Sequence, residues 1–312
     1  MRGAAWPWKD LGRDHGTPLE GYYWRITDAT RGRVIVALCG VVRSAEGRWG
    51  MACVASEPGG LVRTAITEDG RAGERTFGVD AGAALVGDLR ALRARPTDDT
   101  ALDIRLSRSC AYHGRALGPA YVLPGLPQYW APLVLGARVD GSARLGGEEI
   151  DLTGATAYVE RTWGTAFPAR WWWGQADAFE GADVCVAFAG GELAAGICAT
   201  AAVVRVGRRI VRFPLAVGRG WSLRARFGRY AVRVEGDAAG QQPAVLPVPV
   251  AGERRVEARS HHWLAGRLHV VVTHRGRVLY RGESPLAGLE HGIPHPARRG
   301  AADPVTMSAA CG

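Results

Sequence analysis

Between Tyr158 and Gly181 the chain reads YVERTWGTAFPARWWWGQADAFEG, placing Trp163, Trp171, Trp172 and Trp173 close to Glu160 and Asp177. A carboxyl group buried among apolar side chains has its pKa raised and can donate a proton near neutral pH. A tryptophan face stabilises a nearby cation by roughly 0.5–2 kcal/mol. A carboxylate on an apolar sheet face beside a tryptophan wall is what these residues offer. If the segment is extended, the period of two puts Tyr158 and Glu160 on one face of a strand. The same period aligns Trp171, Trp173, Gln175 and Asp177 on one face of the next, with Trp172 opposite. Pro168 separates the two runs, because it cannot donate a ladder hydrogen bond. A plainer reading stands beside this one: Glu160 could be the partner of Arg161 or Arg170 in a structural ion pair.

Other chemistries lack their residues. Lys9 is the only lysine and lies outside any glycine loop, which removes a P-loop and leaves no candidate for a Schiff base. No GxGxxG follows a strand pattern, and there is no GxSxG elbow, HExxH helix or CxxC pair. His261, His262, His269 and His274 could gather around a metal on opposed strands. Strand surfaces commonly carry single histidines, however, and no metal site is expected. Glu290 and His291, in Gly288–Gly292, read as a solvated turn. The net charge of +9 is carried by scattered arginines rather than basic runs, and asparagine is absent. That pattern is compositional bias, and no nucleic-acid partner is expected.

The elements that must position these residues are strands. Tyr22–Thr27, Arg33–Arg43, Trp49–Ser56, Leu61–Thr67 and Leu102–Ser107 are short apolar or alternating runs between Gly, Asp, Pro and Ser clusters. Val34–Leu38 is apolar at every position and so buried on both faces. Leu102, Ile104 and Leu106 alternate with Asp103, Arg105 and Ser107, which gives one dry face and one wet one. Gly82–Leu92 is the best candidate for a short helix, with one more strand as the alternative. Past Pro124–Pro127 the same architecture repeats, with hairpin turns expected at Gly207-Arg208 and Arg275-Gly276. No long amphipathic helix is present. Strands are expected to outnumber helical residues about twofold, against the usual slight excess of helix. The polar N-terminus, broken by Pro7, is read as neither signal peptide nor anchor. No run approaches the ~18 apolar residues of a spanning helix. The six cysteines are spread widely and read as buried thiols in a reducing compartment. A cytoplasmic location follows, with peripheral membrane contact left open.

The segment Ala157–Gln175 resembles the signature of the tocopherol cyclase family, a Tyr-Ala-Glu-Lys-Asn-Trp-Gly run followed by Phe-Pro and then tryptophans. Glu20-Gly21-Tyr22-Tyr23-Trp24 is similar to that family's motif near the N-terminus, and Pro124–Trp130 with Asp151–Gly154 also fits. Arg161 and Thr162 stand where lysine and asparagine are usual, and Val159 replaces the alanine. The resemblance implies an all-β protein of two lipocalin-like barrels. The halves are expected at 1–165 and 166–296, with a mobile tail at 297–312. It also implies cofactor-free, acid-catalysed closure of a chroman ring on a prenylated quinol or related isoprenoid, in a deep apolar barrel cavity. Glu160 is then the candidate acid. Glu20 is a second candidate, to orient or accept a phenolic proton, or merely an anchor of the first strand. Tyr22, Trp24, Tyr158, Trp163, Trp171, Trp172, Trp173 and Gln175 are candidate substrate contacts, each with a packing role as the alternative. The expected partner is an apolar small molecule. A non-catalytic lipid carrier is the rival: glutamates tied to arginine would favour it, and a free buried Glu160 would favour the enzyme.

Overall fold

The computed structural model describes residues 12–122, 126–194, 197–238 and 240–294. The N-terminal segment 1–11 and the tail expected at 297–312 lie outside the described residues. Of the described residues 68% are strand, and a single 3-10 turn at Gly118–Val122 is the helical element among them. Strand dominance is thus far stronger than twofold, because the apolar runs are short, rich in β-branched and aromatic residues and cut by turn residues.

Two sheets result. The first starts with β1 (Leu19–Asp28), β2 (Arg33–Ser44), β3 (Gly47–Glu57) and β4 (Leu61–Thr67). Short strands follow: β5 (Arg71–Ala72), β6 (Gly78–Asp80), β7 (Leu85–Asp88), β8 (Ala91–Thr97) and β9 (Thr100–Ser107). It ends with β10 (Gln128–Leu145), β11 (Glu148–Asp151) and β12 (Thr156–Gly164). Its order is β4-β3-β2-β1-β12-β10-β9-β8-β7-β6-β5, with β11 paired to β10, and β3 and β4 curl round to meet β8. The second sheet contains β13 (Trp171–Ala176), β14 (Val184–Ala194), β15 (Ile197–Val206), β16 (Arg209–Phe213) and β17 (Ala216–Arg219). It adds β18 (Ser222–Phe227), β19 (Tyr230–Asp237), β20 (Ala244–Pro249), β21 (Val256–His274) and β22 (Arg277–Gly292). There the order is β16-β15-β14-β13-β22-β21-β19-β18-β17, and β15 and β16 return against β17 and β18. The protein is all-β, with two lipocalin-like barrel halves.

Local sequence explains local structure. Gly82–Leu92 forms strand, not helix: Leu85 and Gly87 are buried while Val86 and Asp88 are exposed. The β21–β22 hairpin turns at Arg275 and Gly276, both at positive φ (52° and 80°), as a two-residue turn that follows strand twist requires. Cys39, Cys53 and Cys185 are buried as expected, but Cys198 is exposed on β15.

Both barrels are filled. Tyr22, Trp24, Ile35, Ala37, Val159 and Trp163 belong to the first interior, and Trp172, Phe188, Val204, Phe213 and Val270 to the second. The sheets also pack on one another through their outer faces. Trp130, Leu135 and Tyr158 meet Trp173, Cys185 and Val203, while Val34, Val36 and Cys53 meet Leu246 and Leu264. This is why Val34–Leu38 is apolar throughout: one face lines a barrel and the other a sheet–sheet interface. At Gly40 a Cβ would stand 2.7 Å from Pro249, so glycine sets how closely β2 and β20 approach.

Candidate active site

An apolar cavity of about 380 Å³ lies between the two sheets, where a cavity inside a barrel was expected. The interiors are occupied by side chains, so the space left for a ligand is where two convex, twisted faces fail to close. Glu160 lines this cavity from β12, with Tyr23, Leu38 and Trp130 beside it and Trp171, Trp173, Val248 and His262 across from it.

Alternation along β12 decides what Glu160 touches. Tyr158 and Glu160 face the second sheet, while Val159, Arg161 and Trp163 face the first barrel. Arg161 therefore cannot serve as the partner of Glu160. Instead Trp130 Nε1 (2.6 Å), Tyr158 OH (2.5 Å) and Trp173 Nε1 (2.9 Å) all donate to Glu160 Oε2. Burial pushes the carboxyl pKa up, these three donors oppose it, and the balance is about 7. With Oε2 accepting three donors, a proton carried by this group belongs on Oε1. Near neutral pH the group is divided between a carboxylate and a neutral acid with an oriented proton.

Glu20 is built differently. Fully buried in β1 on the barrel side, it pairs with Arg161 and accepts the His15 backbone N–H at 2.9 Å. Burial would raise its pKa, but the His15 donation and the Arg161 charge outweigh that and hold it at about 2. It is a permanent carboxylate on the opposite face of the sheet from Glu160.

The other candidates divide by the same alternation. Tyr158 and Trp173 join Glu160 directly. Trp171 lines the same cavity, donates to Glu290 Oε1 (2.6 Å) and carries Arg259 over its ring at 5.2 Å. Trp172 borders the cavity but packs into the second barrel, its Nε1 on Thr200 Oγ1 at 3.1 Å. Tyr22 also borders the cavity, though its ring belongs to the first barrel core with Trp24. Trp24 donates to the Asp88 carbonyl at 3.2 Å. Trp163 stacks on His15 at 4.1 Å and holds Arg161 over its ring at 5.6 Å, so its face serves an arginine. Gln175 is buried beside Cys185 (Nε2–Sγ 3.6 Å), away from the cavity lining.

Sequence reasoning gave no catalytic or substrate role to Trp130, Tyr23, His262 or Glu290, weighing His262 only as a metal ligand and Glu290 only as a turn residue. Glu290 is no turn residue: it lies in β22, lines the cavity, and its Oε2 stands 3.4 Å from His262 Nδ1. The signal was present in the spacing of β21 and β22, but their pairing register was not. Among the described residues no three His, Cys, Asp or Glu side chains converge as metal ligands. His262 faces Tyr23 and Glu290, while His274 stacks on Tyr230.

The model of the tocopherol cyclase-like family matches residues 126–293, more than half of the chain. The chain belongs to that family. A protein of Oryza sativa subsp. japonica described as a chloroplastic tocopherol cyclase is 33% identical over 70 residues. That match spans 22% of this chain and only 15% of the rice protein. Among solved structures, a Nitrosomonas europaea protein described as an AttH superposes with a TM-score of 0.56 at 17% identity, covering 93% of this chain and 97% of that one. Kievitone hydratase from Nectria haematococca gives 0.53 at 13% identity, covering 94% of each. At such identities the likeness is one of fold. Of the run that resembles the family's signature, Glu160, Trp171 and Trp173 line one cavity.

Proposed function

We propose that this member of the family is an acid catalyst that closes a chroman ring on a prenylated quinol or related isoprenoid. The observation that carries the reading is Glu160: a carboxyl with no arginine partner among the described residues, poised near pH 7, in an apolar cavity. Its Oε1 proton passes to the alkene, whose π pair forms the new C–H bond and leaves a tertiary cation. The phenolic oxygen then closes the C–O bond and releases its proton. Proton in and proton out balance, so the reaction calls for neither metal nor redox cofactor. Trp130 and Trp173 hold the carboxylate that Glu160 becomes, and the aromatic wall shelters the cation, with each well-placed ring contributing roughly 0.5–2 kcal/mol. Because the donors tighten as charge develops, they act on the transition state more than on the bound substrate.

Addition of water to the alkene would share the protonation step. The apolar lining favours capture by the tethered phenol instead, since water is kept from the cation. At the mouth, Leu193 and Leu215 border the cavity while 37% and 76% exposed, an apolar lip suited to peripheral contact with a membrane holding the substrate. No helix among the described residues is long and apolar enough to cross a membrane.

The test is incubation with hydroquinones bearing prenyl tails of several lengths, followed by chromatography and mass spectrometry. A chroman of unchanged mass is expected. A product heavier by one water would make the protein a hydratase, and tight binding without conversion would make it a carrier.

A further inference from the structure

A second group of titratable side chains crosses the same cavity and is unused by the protonation step. Tyr23 is the residue opposite Glu160 in the β1–β12 ladder, so both project from one face toward the second sheet. Its hydroxyl is 3.5 Å from His262 Nε2, and its ring meets Trp173 edge-on at 5.2 Å. His262 is fully buried and stands opposite Glu290 in the β21–β22 ladder. His262 Nδ1 lies 3.4 Å from Glu290 Oε2, and Glu290 Oε1 is fixed by Trp171 Nε1 at 2.6 Å. The sequence Tyr–His–Glu is thus continuous from the Glu160 wall into the second sheet.

We propose that Tyr23, His262 and Glu290 form the proton-accepting relay for the ring-closing hydroxyl. This rests on the cyclase reading. A carboxylate at Nδ1 favours the tautomer with its proton there, which leaves the Nε2 lone pair toward Tyr23. As the substrate oxygen bonds to the cation, its proton moves to the Tyr23 oxygen, and the Tyr23 proton moves to His262 Nε2. The imidazolium so formed faces the Glu290 carboxylate. One proton has left Glu160 and one has reached His262, and exchange with solvent resets both. Burial would raise the Glu290 pKa, but His262 and Trp171 outweigh it, so Glu290 stays charged. For Tyr23, burial raises the pKa, Glu160, Glu290 and Asp177 add to it, and together they outweigh the lowering by Arg25. Tyr23 therefore passes a proton as a neutral hydroxyl and does not dwell as a phenolate.

The experiment compares Tyr23→Phe, His262→Gln, Glu290→Gln and Glu290→Asp with the wild type on a geranylgeranyl-substituted hydroquinone, each variant's fold being checked by circular dichroism. Where the wild type turns over, Tyr23→Phe and His262→Gln lower kcat by about 100-fold with KM changed by less than about threefold. Glu290→Asp regains part of the loss of Glu290→Gln, which a purely structural role would not produce. Should His262→Gln fail to fold, the near-isosteric Tyr23→Phe decides alone. A kcat within about threefold of wild type in Tyr23→Phe overturns the relay while leaving Glu160 in place. Where the wild type binds without turnover the cyclase reading fails, and the relay is read from binding. The free hydroquinone should then bind about tenfold tighter than its methyl ether, and Tyr23→Phe should abolish the difference. Equal binding of the two by the wild type, or no binding of either, overturns it.

Discussion

At the scale of single residues, Glu160 and Glu20 show how one side chain type becomes two groups. Replacing Glu160 by Gln keeps the shape and removes the proton, so turnover should fall at least about 100-fold while ligand affinity changes little. Steady-state kinetics beside fluorescence titration measure both. The alkaline limb of the wild-type rate should fall with an apparent pKa near 7 as Glu160 ionises. Its folded pKa lies above the ordinary value of 4.5, so the native state binds the extra proton in between. Stability relative to Glu160→Gln is then greatest below about 4.5 and declines as pH rises to about 7. The total is about 3 kcal/mol, read from denaturant midpoints at several pH values. Glu20 runs the other way. Its pair with Arg161 contributes fully above pH 4.5 and is lost as pH falls toward 2. Glu20→Gln should cost about 3–5 kcal/mol of folding stability, because a buried guanidinium loses its counter-charge. Ligand affinity in that variant should be unchanged if Glu20 is outside the site.

At the scale of elements, β13 sends adjacent tryptophans to different tasks. Trp173 donates to Glu160 and faces the cavity, whereas Trp172 fills the second barrel. Trp173→Phe should keep most of the aromatic area but remove one donor, moving the alkaline limb upward in pH. Trp173→Leu should turn over more slowly than Trp173→Phe while binding ligand similarly, because a ring acts on charge present only near the transition state. Trp172→Ala should instead destabilise the fold by about 3–5 kcal/mol, seen as a lower melting temperature. Equal effects of Phe and Leu on turnover at Trp173 would remove the ring from the mechanism. Gly292 is required by the same strand pairing: a Cβ there would stand 1.8 Å from Trp171.

At the scale of the whole molecule, the cavity belongs to neither sheet alone. Arg25 reaches from β1 to the Leu264 carbonyl at 2.9 Å and the Leu286 carbonyl at 2.5 Å, joining the sheets beside the site. We propose that the chain divides near residue 165 into the units 1–165 and 166–296, since β12 ends at Gly164 and β13 begins at Trp171. Limited proteolysis within 165–170 should then leave two fragments that stay associated on a sizing column. Rapid degradation of either fragment would argue for a single unit. For the apolar lip, Leu215→Asp should reduce co-sedimentation with phospholipid vesicles severalfold without changing the melting temperature. Unchanged co-sedimentation, or none in the wild type, would remove the membrane from the account.

Sequence by itself determined the class of the fold, the resemblance to the family and the acid on an apolar strand face. It did so because alternation, turn chemistry and side-chain type are local properties. Leu102–Ser107 announced one wet face, Val34–Leu38 announced two dry ones, and Tyr158 and Glu160 were bound to share a side. A pair between Glu160 and Arg161 stayed open in the sequence, and only the packing of a second sheet put the two on different sides and showed which side was the site. Tyr22, Trp24 and Trp163 carry aromatic area as suited to a ligand as that of Trp130, and sequence could not tell a barrel interior from an inter-sheet cavity. Glu290 and His262 lie 28 residues apart and meet only through the register of β21 with β22. Register, barrel filling and the gap between two convex sheets are set by the sum of many weak contacts across the chain. No short stretch of sequence contains them, and they are what turned a run of tryptophans into one wall of a cavity.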